Sequence, residues 1–370
     1  MNCALALVKP IGIYQPICFE RPVFFVAHEL KRRWPELDNP DACMNVREVP
    51  TERWGPGENI WIVSSYLKLK ARGLNVRIVD RLVPDAINVC YLDAVLNATR
   101  AHRAFLAIAQ GDRCYLSWGD YTLAQSPELA KSANSCLIDM WPQPGLLPRD
   151  PSRGDHIKRI GYTGYKGNLA AVFRTDAFRN QLAKLGIELV IRDHEDHWHD
   201  FSDLDLHLAI RDTPWQWVRT KPSTKLVHSW ITGCPGLLGP EPSYRYWGDD
   251  GRDYFEVNSP EDVLRTVARL KNNPELYRAV QRRGWEKAKV HDEDAVCRQW
   301  AAVLAGPVTE QYEAWRQAGQ MTWMGRDMRR RVQRVGAYVS RKWFFFRVKG
   351  RDVARERIRN VTQHFSYKVL

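Results

Sequence analysis

The chain contains no Cys-x-x-Cys pair, no apolar run near the about 18 residues that a membrane-spanning helix needs, and no signal-peptide pattern. Its eight cysteines (Cys3, Cys18, Cys43, Cys90, Cys114, Cys136, Cys234 and Cys297) are widely scattered. A disulfide scaffold is thereby excluded, a cytoplasmic location is expected, and any membrane contact is peripheral. Internal repeats and low-complexity tracts are also lacking. No helix-turn-helix, zinc-finger or RNP-type signature accompanies the basic charge, so nucleic acid is not expected as a partner.

Acidic residues are scarce in one region. From residue 321 to 370 there are eleven Arg and three Lys against Asp327, Asp352 and Glu356, a net +11 of the chain's +12. Trp323, Met324, Val332, Val335, Tyr338, Val339, Trp343 and the Phe344–Phe346 run interleave with these charges. Such a segment reads as a helical basic tail suited to an anionic membrane surface, the alternative being solvated helices that pack on the N-terminal domain or on a second subunit. The remaining 320 residues are close to neutral, and a hydrophobic content of 44% over 370 residues suits two or three globular units.

The stretch Lys221 to Arg245, KPSTKLVHSWITGCPGLLGPEPSYR, carries the most chemistry. Before it, the apolar run Leu204 to Ile210 reads as a buried strand, and Asp212 to Pro214 as the turn after it. Pro222 suits a first helical position; Leu226, Val227, Trp230 and Ile231 follow at helical spacing until Gly233 and Pro235 stop the helix. Gly236 to Leu238 is the next strand. If the two strands are parallel, their C-terminal ends share one edge, and the loops 211–225 and 239–245 face one crevice.

A diphosphate fits the inventory at that helix start. Ser223 and Thr224 supply backbone N–H groups and hydroxyls, the helix dipole adds positive potential, and Lys221 and Lys225 add charge. Arg211 is a candidate phosphate contact or an ion-pair partner, and Glu241 a candidate acceptor for ribose hydroxyls.

Together with WPQPGLLPRDPSRG (Trp141 to Gly154), GYTGYKGNLA (Gly161 to Ala170) and SPEDVLRTVARLKNNPELYRAVQRRG (Ser259 to Gly284), this segment resembles the C-terminal half of GT-B glycosyltransferases, in particular a bacterial "family 1" group. The resemblance implies an α/β protein of two facing Rossmann-like domains. The expected units are 1–145 (acceptor domain), 146–305 (nucleotide-sugar domain) and 306–370 (helical basic tail), with the proline-rich 141–154 segment as linker. It implies transfer of a sugar, hexosyl-like and metal-independent, from a nucleotide-diphosphate donor to a glycan or lipid-linked acceptor in cell-surface polysaccharide synthesis. No cofactor is implied.

Within that frame Gly164, Lys166 and Asn168 are expected to approach the diphosphate from the other side, and the glycine turn with Gly55 and Gly57 to lie against donor and acceptor. A base in the N-terminal domain is required if the reaction inverts, and Glu58 and Asp120 are the candidates by position. The sequence departs from the glutamate pair of many retaining GT-B enzymes, since Thr220 and His228 occupy those positions. A GT-B-fold nucleotide-sugar epimerase or a non-catalytic sugar-nucleotide binder is therefore the alternative.

Further helix and strand expectations are a helix over Asn59 to Ala71 and strands at Val76–Val79, Ile87–Tyr91, Phe105–Ala109, Cys136–Met140 and Arg159–Tyr162. The helices from Pro260 to Leu304 read as structural, with Ser259 and Asp262 as a capping box. The His194, His197 and His199 cluster matches no standard metal-ligand spacing.

Overall fold

The computed structural model describes residues 21–27, 30–54, 57–95, 103–113 and 119–318, and further along 324–326, 328–329, 331–333, 335–336 and 338–339. Two parallel sheets organise the chain.

The first sheet holds β1 (Val23–Val26), β2 (Val76–Val79), β3 (Ile87–Tyr91), β4 (Phe105–Ala109), β5 (Tyr121–Ala124) and β6 (Ser135–Leu137), in the spatial order β2-β1-β3-β4-β5-β6. Every pairing is parallel. β3 and β4 are buried at every position; β4 is a continuous apolar run, as a covered parallel strand requires, and β3 buries Asn88 with its amide donating to the Val83 and Ala86 carbonyls. Of its short helices, α1 (Leu30–Arg33) follows β1, α2 (Ser65–Lys70) continues a π-helical turn over Asn59–Ser64, and α3 (Leu92–Val95) follows β3.

The second sheet holds β7 (Arg159–Thr163), β8 (Glu188–Arg192), β9 (Leu206–Ala209), β10 (Gly236–Leu238) and β11 (Phe255–Glu256), ordered β11-β10-β9-β7-β8, again all parallel. Its crossovers carry α4 (Asp176–Lys184), α5 (Trp215–Val218), α6 (Thr224–Thr232) and α7 (Pro242–Trp247), followed by α8 (Pro260–Lys271) and α9 (Pro274–Ala288). Ser259 caps α8 by accepting from the Asp262 backbone N–H at 3.1 Å. α6 stops at Gly233 in the left-handed conformation (φ +71°), where a Cβ would meet the Trp285 indole at 2.9 Å.

Each sheet therefore has a switch point, where consecutive connections leave a strand on opposite sides: at β1 in the first and β7 in the second. Ligands of open parallel sheets sit at such points, outside the carboxyl ends of the strands. Two such units with facing switch-point edges form the GT-B fold.

The last helices do not remain with the second sheet. α10 (Glu293–Val303), a π turn over Leu304–Val308 and α11 (Thr309–Gln317) return to the first unit and bury Val296, Trp300, Leu304, Tyr312 and Trp315 in its core. Trp300 stacks on Trp141 of the linker, with ring centroids 6.3 Å apart. A helical stripe in sequence shows that a face is covered but not by what, so residues 293–305 read as part of the second domain until the packing is seen.

The linker is fastened rather than loose. Arg149 and Arg153 both donate to the fully buried Asp205 carboxylate at 2.9 Å, and the backbone N–H groups of Lys158 and Arg159 donate to its other oxygen at 2.8 Å. This cluster ties the 141–154 segment to the start of β9.

Candidate active site

The connection from β9 to α6 lies over the carboxyl edge of the second sheet. α6 begins at Thr224, two residues later than Pro222 would set it, and Ser223 is buried without a side-chain cap bond. The Val227 N–H donates to the Ser223 carbonyl at 3.0 Å, which leaves the N–H groups ahead of it outside the helix ladder. Lys221 and Lys225 flank this end.

Lys225 reaches down to β7, where its Nζ donates to the Thr163 carbonyl. Burial, helped by the nearby Arg211 charge, lowers its ammonium to about 7, with Glu241 opposing. Gly164 follows Thr163 with φ +141°, and a Cβ on it would approach Lys225 Nζ to 3.2 Å. The glycine loop and the helix start are thus adjacent. Lys166 and Asn168 lie exposed on the 3-10 turn that follows, beside the exposed Tyr165.

Arg211 and Glu241, expected as separate donor contacts, form a buried ion pair with each other. Tyr244 Oη also accepts from Arg211 Nη1 at 3.2 Å. Glu241 and Tyr244 strengthen the guanidinium against burial and keep it charged, while burial raises the Glu241 carboxyl against the opposing Arg211. Of the two roles expected for Arg211, the structure shows the ion pair. Glu241 is likewise covered, yet its Oε2 and the Arg211 Nε lack partners among the described residues.

Behind α6 a polar chain crosses the sheet: Thr163 Oγ1 lies 3.4 Å from His207 Nε2, and His207 Nδ1 lies 3.0 Å from Ser229 Oγ. His228 is buried, and among the described residues neither of its ring nitrogens has a partner. Burial and the Lys225 charge push His228 down to about 3 and His207 well below its ordinary value, so both imidazoles are neutral.

The first unit faces this end with the loop after β4. Asp112 Oδ2 accepts from Lys221 Nζ at 2.5 Å, and the Asp112 carbonyl accepts from Thr220 Oγ1 at 3.1 Å. Ser126 Oγ donates to the Arg219 carbonyl at 2.6 Å. Burial alone would raise the Asp112 carboxyl, but Lys221 and Arg113 outweigh it and hold it down at about 2. Asp112 is the carboxylate that the sequence reading missed. Its only signal is a Gly-Asp-Arg turn after an apolar strand, with Gly111 at φ +61°.

Gly57 sits over Tyr91 at the end of β3, where a Cβ would meet Tyr91 Oη at 2.8 Å. The neighbouring Glu58 acts electrostatically on the Tyr91 hydroxyl. Gly55 lies outside the described residues. Asp120 is the clear correction: it precedes β5, its Oδ2 accepts from the Leu106 N–H at 2.8 Å near the start of β4, and it lies at the amino edge of the sheet, opposite the crevice. A loop carboxylate before a strand and one after a strand look alike in sequence, but only the second faces the ligand edge.

In the histidine cluster, His194 pairs with Asp196 at 3.0 Å on the surface. Among the described residues no group of three or more His, Cys, Asp or Glu side chains converges as a metal site.

Fold and crevice define the class, a two-domain α/β protein of GT-B architecture. No protein-family model and no curated protein matches the chain. Among solved structures, it is similar to sucrose-phosphate synthase from Thermosynechococcus elongatus (12% identity, 80% of this chain and 99% of that one, TM-score 0.47). It is also similar to HepE from Anabaena in complex with UDP and glucose (11% identity, 64% and 88%, TM-score 0.46) and to TarM (8% identity, 58% and 54%, TM-score 0.42). The matched region thus spans about half of the TarM chain.

Proposed function

We propose that the protein transfers a sugar from a nucleotide-diphosphate donor to a glycan or lipid-linked acceptor, in cell-surface polysaccharide synthesis at the cytoplasmic face of a membrane. The observation that carries this reading is the convergence of Lys221, Lys225, the Gly164 loop and the start of α6 at the switch point of the second sheet, opposite Asp112.

Sugar transfer must stabilise charge on the departing diphosphate, which the helix start and two lysines do without a metal. The Thr224 N–H joins them, its hydroxyl being engaged by Met140 Sδ, and Lys166 and Asn168 approach the phosphates from the glycine loop. Glu58, on the acceptor side, is the carboxylate proposed to take the acceptor proton, since Asp112 is held low by Lys221 and Arg113.

A second reading, a non-catalytic binder or an epimerase, is favoured by one observation. Thr220 and His228, at the glutamate-pair positions, are both buried, and Thr220 is spent on carbonyl hydrogen bonds. Incubation with UDP-, GDP- and ADP-sugars separates the readings. Transfer, or slow donor hydrolysis lost in Lys221→Ala, is expected; sugar-nucleotide binding with neither reaction supports the alternative.

A further inference from the structure

The described turns of the basic tail are helical, and apart from Arg326 their residues are exposed, the apolar ones included. Met324, Met328, Val332, Val335 and Val339 recur at intervals of four, four, three and four, which is one stripe of a helix, and each is between 58% and 68% exposed. Arg326, Arg329 and Gln333 point elsewhere. They line a cavity of about 190 Å³ together with Asp120, Asn134 and Gln311 of the first unit.

At 3.6 residues per turn the centres of the two faces lie roughly 130° apart. Arg329, Arg331 and Gln333 are exposed as well, so both the apolar stripe and basic side chains of the tail remain open to a partner. An exposed stripe of this length in water favours a partner that covers it.

We propose that this stripe docks into the surface of an anionic lipid bilayer, lying in the interface with the five apolar side chains entering the acyl boundary. The charge of the segment selects that occupant: fourteen basic residues against three acidic ones attract anionic headgroups and disfavour a second copy of the same tail. Asp120 lines the same cavity as Arg326 and Arg329. The inference stands apart from the sugar-transfer reading, because vesicle binding is read without donor.

The test is flotation of the full chain with vesicles of phosphatidylcholine alone or with added phosphatidylglycerol, over a salt series. Binding to the anionic vesicles is expected, with loss of about tenfold or more in the Val332→Glu/Val335→Glu double variant. The Val332→Leu/Val335→Leu double variant is expected to bind as well as wild type, and both to melt as wild type because the positions are exposed. Absence of wild-type binding to anionic vesicles would overturn the proposal. So would binding that both double variants retain equally, which would mean charge alone, or a dimer abolished by the Glu variants without any vesicle binding, which would make the stripe a self-interface.

Discussion

Lys221 and Asp112 meet across the crevice, ammonium to carboxylate at 2.5 Å, so the lysine best placed for a diphosphate already holds an anion from the opposite domain. A donor phosphate must displace that carboxylate or share the lysine with it.

Asp112→Asn tests this competition. Removing a partly exposed ion pair worth ~1 kcal/mol should tighten nucleoside diphosphate binding about fivefold. The chemical step should change little, because a carboxyl held down at about 2 is a poor proton acceptor. Calorimetry reads the first effect and a turnover assay the second; binding that weakens would remove the competition.

Gly164 allows the glycine loop to lie against Lys225. A side chain there faces both φ +141° and an approach of 3.2 Å to the ammonium. Gly164→Val should weaken nucleotide binding at least tenfold, while strain of roughly 1–3 kcal/mol lowers the urea midpoint. Wild-type affinity in the variant would show that the loop does not touch the diphosphate.

Lys225 gives the site a pH signature. Its ammonium is lowered to about 7 in the folded protein from an ordinary 10.5, mainly by burial. Between those values the unfolded chain holds a proton that the folded chain lacks, so this residue makes stability rise with pH across the window, by at most about 1.4 kcal/mol per unit. Below pH 7 both states are protonated and its full penalty is felt. Lys225→Met should therefore gain on wild type at pH 7 and lose that advantage toward pH 10 in urea unfolding. A difference independent of pH would contradict the lowered value.

Asp205 is the structural counterpart. Two arginines and two backbone N–H groups converge on its buried carboxylate. Asp205→Ala leaves Arg149 buried without its partner and should lower stability by about 3–5 kcal/mol. A loss below about 1 kcal/mol in thermal or urea unfolding would mean that the linker is held by packing alone.

Much of this architecture was legible in the sequence where one period dominates. The apolar runs of β3, β4 and β9 and the stripe of α6 announce themselves, because covered parallel strands and crossover helices need that pattern. β1, β5 and β8 escaped: VFFV and YTLA are only four residues long, and ELVIR is bounded by charges. The strand expected at Cys136–Met140 forms one residue earlier and ends at Leu137. At the site, the placing of Lys221 and Lys225 at a helix start and of Gly164 on a loop was legible from local helix and loop chemistry. The Arg211–Glu241 pairing and the role of Asp112 did not, since each joins residues from separate loops, and the choice of partner is made by the fold.

The most direct test of the central claim is calorimetric titration of UDP, GDP, ADP and CMP into wild type and Lys221→Ala. One nucleoside diphosphate should bind the wild type, and the variant should lose at least tenfold in affinity, as expected for a desolvated charge-assisted phosphate contact. Failure of every nucleotide to bind wild type, or equal binding by the variant, would contradict a diphosphate site at the start of α6.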